Sequence, residues 1–475
     1  MRRSGLPEQR GRGGPALRRG ARLSRQRDLG GGKGRPAGRL GAWPWRPSAG
    51  SGVVCGNRRH RGGAGTQGIG DRQAVAGGLR GLGARTRLSA HPPALGTTAA
   101  GRARVLPPYR LPAEKHRHHV RAGSAAARLR LIHRRESRLE GNPQMQTRFP
   151  APLQVGDAIA VTAFSSGVPA QLHNQLDDAL AMLRARGYRV VEGECLREEK
   201  CDASAPAAAR LAELKRFLFD PGIRAILPPW GGELAIELLA GLDFAALAKL
   251  PPKWLAGFSD VSTLLAPLTL LSGWATLHGP NLMDSPLKER QSGYEALLAA
   301  LETGMPAAQE QYARYWRWDE PGQTFANQVR MLDGGAGKMA GRLIGGCLDV
   351  LASLQGTPYF DLAAFKRKPA ILYLENCELA PCGVLRALAG LRLSGTFDGL
   401  SGLVLGRSTG PEAANAGALS YQAAVRAALD GLGCPVAMDA DIGHSPPQWS
   451  LLNGAWAVLE VFGEGRARLS QRPAP

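Results

Sequence analysis

Cysteine is sparse in this chain and never paired at the spacing that metals prefer. The seven residues Cys55, Cys195, Cys201, Cys347, Cys377, Cys382 and Cys434 are odd in number, and none sits in a C-x-x-C pair. Neither Cys195/Cys201 nor Cys377/Cys382 has a second pair at finger-like distance, so no zinc site is expected. They read as small buried thiols in a reducing compartment. Long apolar runs are missing too. The longest candidate, Trp254 to Leu277, is broken by Asp260, Pro267 and Gly273. It falls short of the roughly 18–20 apolar residues that span a bilayer. Neither Met1 nor Met145 is followed by a signal-peptide core of about 7–15 apolar residues, and Arg2-Arg3 alone is not a twin-arginine signal. A soluble, cytoplasmic protein with no membrane partner is expected.

Acid is what the first 144 residues lack. They carry 31 Lys+Arg against 6 Asp+Glu, whereas the remainder carries 29 against 33. The formal net charge of +21 therefore belongs wholly to the first segment. All its cations but Lys33 and Lys115 are Arg, and Gly, Ala and Pro fill most other positions. No stretch keeps a helical or strand period. Such a segment cannot bury enough apolar surface to offset the entropy of ordering it, so 1–144 is expected to be a disordered basic extension. An Arg/Gly-rich arm can bind nucleic acid through phosphate contacts. Such arms usually space aromatics among the cations for base stacking, and this one has only Trp43, Trp45 and Tyr109. Nucleic acid is therefore not favoured as a partner. An over-extended reading frame in GC-rich DNA is the plainer account.

Ordinary protein pattern begins at Met145, and 331 residues are enough for two domains. Strand and helix alternate. Residues 157–164 read as a strand ending at Ser165-Ser166-Gly167, and Gln171 to Arg186 as a helix with Leu172, Leu176, Leu180 and Leu183 at helical spacing. Strands follow at 188–191, 223–227 and 254–258, with a helix over Ala207 to Phe219. Alternation of this kind predicts a parallel sheet with helices on both faces, and ligands at the carboxyl ends of its strands. Ser165, Gly231, Asp260 and His278 fall at such ends. The run 284–338 is irregular and is expected to connect two domains, 145–283 and 339–475. In the second, Gly341 to Leu354 reads as a turn and helix, 370–374 as a strand, Gly383 to Leu393 as a helix and 400–406 as a strand.

One stretch points to chemistry. Residues 224–243 read as a strand, a tight turn at Gly231-Gly232 and a helix. A helix starting at a strand's end gathers free N–H groups and the positive end of its dipole, a place to hold an oxyanion or carboxylate. A nucleophile elbow uses that geometry with a Ser just after the glycines. Here no Ser, Cys or Thr lies between Gly231 and Asp243; the third residue past Gly232 is Ala235.

Seven motifs in order resemble the LD-carboxypeptidase family, S66-type serine peptidases that include muropeptide-recycling enzymes and microcin C self-immunity proteins. They are Val155-Gly156-Asp157, Pro221-Gly222-Ile223 with Gly231-Gly232 and Leu242-Asp243, Gly257-Phe258-Ser259-Asp260, His278-Gly279-Pro280, Gly345-Gly346-Cys347-Leu348, Leu372 to Glu375 with Pro381 and Arg386, and Ile442-Gly443-His444. The resemblance covers about Leu153 to Leu459. It implies a two-domain α/β fold with a flavodoxin-like N-terminal domain, and a Ser–Glu–His triad whose Glu matches Glu375 and whose His matches His444. A neutral imidazole would take the nucleophile's proton while the carboxylate fixes its tautomer. Gly231, Gly232, Asp260 and His278 would contact substrate.

The departure is the nucleophile, whose position falls on Ala235. A relocated hydroxyl (Ser259, Ser262 or Ser445), a water activated directly by Glu375 and His444, or a peptide-binding pseudoenzyme are the three readings. Glu233, beside the glycines, would repel a developing oxyanion. The expected substrate is a short peptide, muropeptide-like molecule or peptidyl conjugate with a free carboxylate. No metal or organic cofactor is implied, and a homodimer is left open.

Overall fold

The computed structural model describes residues 146–475 except 286–290, 318, 319, 321, 414, 416 and 475. The basic segment 1–144 lies outside the described residues.

The first half builds a sheet from β1 (Ala158–Val161), β2 (Arg189–Glu192), β3 (Ile223–Leu227), β4 (Trp254–Gly257) and β5 (Leu277–His278). Helices α1 (His173–Ala185) and α2 (Ala207–Phe219) cross between strands, α3 (Ser262–Pro267) follows β4, and α4 (Gln291–Thr303) follows β5. The spatial order is β5-β4-β3-β1-β2, with every pair in that run parallel. This is the flavodoxin-like order. Alternation along β1 explains how both faces are covered. Ile159 and Val161 join the cluster formed with Leu176, Leu180 and Leu183 of α1 and Leu297, Leu298 and Leu301 of α4. Ala158 and Ala160 face Leu214, Phe217 and Leu218 of α2. A fully buried Leu or Phe contributes about 1.5–3 kcal/mol, which is what drives the helices onto the strands.

The second sheet is mixed. It comprises β6 (Gln309–Glu310), β9 (Arg330–Met331), β10 (Gly337–Cys347), β11 (Ala370–Glu375), β12 (Gly402–Gly406), β13 (Val436–Ala440), β15 (Trp456–Val461) and β16 (Ala467–Arg472), in the order β6-β16-β15-β10-β11-β12-β13-β9. Strands β10 to β13 run parallel and the outer pairings are antiparallel. Helices α5 (Leu348–Ser353), α6 (Pro381–Leu393) and α7 (Tyr421–Leu429) belong to this half, and β7 (Arg314–Trp316) pairs with β8 (Thr324–Ala326) as a hairpin. Among the described residues, no helix is long and apolar enough to cross a membrane.

The halves are sewn together. β14 (Leu451–Leu452) comes late in the chain yet pairs antiparallel with β5. Beside it, Asn453 takes a bond from the Tyr373 hydroxyl (2.8 Å) and donates to the backbone and hydroxyl oxygens of Thr276 (2.8 and 3.1 Å). One apolar cluster runs across both halves, from Leu264 and Leu265 of α3 to Leu348 and Leu351 of α5. The run 284–338 supplies α4 to the first half and two edge strands, β6 and β9, to the second sheet.

Two local expectations are corrected. Gly341 to Leu354 is not a turn and helix: the strand β10 continues to Cys347, and only then does α5 begin. Its glycines serve close approach. A Cβ at Gly345 would strike the Tyr373 carbonyl, and one at Gly346 would strike Ser262. Nor does a full α-helix follow Gly231-Gly232. Residues Ala235–Gly241 form a 3₁₀ helix, whose first amides, at Leu234 and Ala235, are capped by Ser165 and Asp260.

Candidate active site

The glycine turn is held by a buried carboxylate. Asp260 Oδ2 accepts from the Ser165 hydroxyl (2.6 Å) and the Ala235 amide (2.8 Å), and Oδ1 accepts from Thr263 (2.8 Å). Ser165 Oγ in turn accepts from the Leu234 amide at 3.1 Å. Asp260 is buried, and burial pushes its pKa up against the pull of these bonds. Its oxygens are therefore engaged in binding the elbow to β1 and β4. Gly232 has φ +133, and a Cβ there would run into Ser165 and Ser166. The free N–H groups expected after the glycines are thus fewer: two of them, at Leu234 and Ala235, are satisfied internally. Ala235 itself is fully buried in the core cluster.

On the other side of the site, β11 delivers Glu375 at its end, with every residue of the strand buried. Glu375 Oε2 lies 2.9 Å from His444 Nδ1. Its other oxygen, Oε1, is buried without a hydrogen-bond partner among the described residues. The negative charge of Glu375 raises the His444 pKa well above the imidazole range, against the opposing effect of burial. Gly443 makes this approach feasible. It has φ +97, and a Cβ there would collide with the Glu375 carboxylate.

The loop carrying His444 is anchored from behind. Arg407 donates to the carbonyls of Ser445 (2.7 Å) and Pro447 (2.8 Å), pairs with the fully buried Asp441, and lies 4.8 Å from the Tyr315 ring. In front, the His444 ring packs 4.7 Å from the ring of Phe258, which comes from the first half of the chain. Phe258, Pro280, Gly443, His444, Pro446 and Gln448 line a small hollow there.

His278 is fully buried between Phe258 and Tyr373, with ring centroids 6.2 and 5.2 Å away. Burial lowers its pKa to about 4, only partly offset by Glu375, so it is neutral at pH 7. Neither ring nitrogen has a hydrogen-bond partner among the described residues. Of the residues singled out in the sequence, Glu375, His444 and His278 thus share one aromatic-lined cluster. Gly231, Gly232 and Asp260 form the adjoining elbow, joined to it through Phe258, two residues before Asp260.

The three candidate hydroxyls are placed differently. Ser262 is fully buried and accepts from the Cys347 amide at 3.0 Å. Ser445 is buried in the anchored loop. Ser259 has φ +64, and its side chain packs against Gly231. Glu233 is pushed up to about 7, by desolvation first and then by Glu378, Asp260, Asp202 and Asp349.

Sequence reasoning missed the Arg407–Asp441 anchor and the Phe258 contact. Among the described residues, no group of three His, Cys, Asp or Glu side chains is arranged to hold a metal ion.

Known proteins share this architecture. A microcin C7 self-immunity protein, MccF, in its wild-type apo state superposes with a TM-score of 0.59 at 24% identity, covering 69% of this chain and 99% of that one. A muramoyltetrapeptide carboxypeptidase from Oxalobacter formigenes gives 0.54 at 24% identity, covering 66% and 100%. By sequence, the MccF of Escherichia coli is 27% identical over 67% of this chain and 94% of its own length. A putative carboxypeptidase of Streptomyces coelicolor is 30% identical over 66% and 93%. Residues 159–279 match the LD-carboxypeptidase N-terminal domain and residues 340–459 its C-terminal domain. Together these matches take in the first parallel sheet, β10 to β15, the elbow, Glu375 and His444, and they establish that the chain belongs to the LD-carboxypeptidase family.

Proposed function

We propose that this protein hydrolyses a short peptide or peptidyl conjugate with a free carboxylate, in the cleft between the glycine turn and His444. The observation that carries this reading is the 2.9 Å bond between Glu375 and His444, beside a hollow the ring helps to line. A carboxylate on Nδ1 fixes the tautomer that leaves the other nitrogen to accept a proton. The names of the relatives support the substrate class: a probable murein peptide carboxypeptidase of Bacillus subtilis is 26% identical over 66% of this chain, and MccF has been solved with aspartyl sulfamoyl adenosine.

A second reading, a peptide-binding protein without catalysis, is favoured by Ala235. It stands where the family's nucleophilic Ser is expected, and its side chain is buried in the core. The test is release of the terminal D-amino acid from a murein tetrapeptide by the full chain, His444→Ala, Glu375→Gln and Ala235→Ser. Turnover by the natural protein that depends on His444 and Glu375 supports the hydrolase. A natural protein that binds the peptide but is inert supports the binding reading, most plainly if Ala235→Ser gains activity.

A further inference from the structure

We propose that Asp349 is the positioning residue of the Glu375–His444 pair, its carboxylate fixing the loop that leaves Glu375. The inference rests on the hydrolase reading above.

Glu375 needs a brace from outside. Its Oε2 bonds His444 Nδ1, while Oε1 is buried without a partner among the described residues. No second hydrogen bond therefore aims the carboxylate at the ring; packing and backbone must do it. The packing is close. A Cβ at Gly406 would strike the Glu375 Cβ, and one at Gly443 would strike its carboxylate. In so little room, a small shift of the backbone at Glu375 turns the carboxylate away from the imidazole.

The backbone just past Glu375 is held by Asp349. In the register of β10 with β11, Cys347 stands opposite Glu375. Strand β10 ends there, and Asp349 lies in the first turn of α5, beside the chain leaving β11. That chain bends at 377 and 378, and the bend wraps the carboxylate. Oδ2 accepts from the Cys377 amide and Oδ1 from the Glu378 and Leu379 amides, at 3.0 Å each. Bonds of this kind to an ionised acceptor are roughly twice as strong as neutral ones. The Asn376 side chain closes the loop on itself, accepting from the Leu379 amide (3.1 Å) and donating to its carbonyl (2.9 Å). Thr409, past β12, donates to the Cys377 carbonyl at 3.2 Å.

Asp349 is itself tied to the other half of the chain. The Cys347 thiol donates to its Oδ2 at 3.2 Å, and the Cys347 amide donates to Ser262 of α3 at 3.0 Å. The brace on Glu375 thus starts from the helix that follows the elbow strand. Supporting contacts of this sort hold a reacting group in its productive geometry.

The experiment follows the His444 imidazole by NMR titration in the full chain, Asp349→Asn and Asp349→Ala. Release of the terminal D-amino acid from a murein tetrapeptide is measured beside it. Burial lowers and the Glu375 charge raises the His444 pKa, and the charge wins. Asp349→Ala should bring the imidazole down toward its ordinary value of about 6.5. It should cut kcat by a factor on the order of 10², as a misplacement of about 1 Å can, with KM little changed. Asp349→Asn keeps one acceptor oxygen, so both effects should be intermediate. Thr409→Val loosens the same loop from the β12 side and should move the imidazole the same way, even where Asp349→Ala does not fold. Lys253→Met, which cuts a tie to the Phe217 carbonyl of α2, is the control: it should lower the melting temperature and leave the imidazole at its parental value. A parental imidazole pKa in Asp349→Ala overturns the proposal and leaves the hydrolase standing. So does an equal fall in Asp349→Asn and Asp349→Ala, which would mark lost charge instead of lost position. A parent without turnover overturns the hydrolase reading, and the imidazole shift then still decides whether Asp349 positions the pair.

Discussion

Arg407→Ala should destabilise the protein by about 3–5 kcal/mol, the range for breaking a buried ion pair from one side. The working is local. The guanidinium pairs with Asp441, which has no exposed side-chain surface, and donates to Asn327 (3.2 Å) and to the carbonyls of Ser445 and Pro447. Truncation leaves a carboxylate with only the Tyr312 amide (2.9 Å) and the Asn327 amide group (2.8 Å). It also strands two carbonyls, each worth about 1–3 kcal/mol if left dry. These costs overlap, because one side chain serves all the partners, so the ion-pair figure sets the scale. The double variant Arg407→Met/Asp441→Leu removes both charges and should recover much of the loss. Urea midpoints at constant m-value measure the stabilities. Turnover reports the loop, since Ser445 is the neighbour of His444. A single variant that loses less than about 1 kcal/mol, or a double variant whose loss is the sum of two large single losses, would refute the claim that this buried pair anchors the histidine loop.

Three further outcomes are expected. Glu375 raises the pKa of His444, so the stability gained from the pair is complete below the ordinary imidazole range and is lost as pH rises through the raised value. Turnover should rise over that same window as the site loses its proton, and Glu375→Gln should move the rate profile to lower pH. His278 has the opposite sign: its pKa is lowered to about 4, so its neutral form supports the fold above about 6.5. About 3 kcal/mol should disappear as pH falls from there to 4, and His278→Asn should flatten the acid limb of the unfolding curve. Gly443→Ala should abolish turnover with a smaller effect on urea stability, because the added Cβ meets the Glu375 carboxylate; near-parental activity would show that the pair tolerates separation.

The parallel sheet was legible because Ile159, Val161, Leu176, Leu180 and Leu183 repeat at periods that only a strand and a helix satisfy. The second sheet was less so. Gly345 and Gly346 looked like turn residues, yet they are strand positions that let Tyr373 and Ser262 come close, a demand set by partners 28 and 84 positions away in the chain. The short strands β6, β9 and β14 carry no period at all; pairing alone defines them. At the site, strand ends located Glu375, His278 and Asp260. They could not show that Asp260 turns inward to hold Ser165 and Ala235, nor that Phe258 joins the elbow to His444. The first depends on loops that three different strands bring together, the second on how the two halves of the chain meet.

The pairing of β14 with β5 has a consequence for how the molecule is made and how it moves. The first sheet receives its last strand from residues that follow the histidine loop, so a ribosome must translate Leu452 before the sheet that begins at Ala158 can close. Expressed by itself, 145–283 would present the β5 edge and His278 to solvent, a template for unwanted pairing. The same stitch restrains hinge opening: swinging the halves apart would tear Leu451 and Leu452 from β5 and Asn453 from Thr276. A route to His444 that leaves this stitch intact is the hollow lined by Phe258, Pro280 and Gln448.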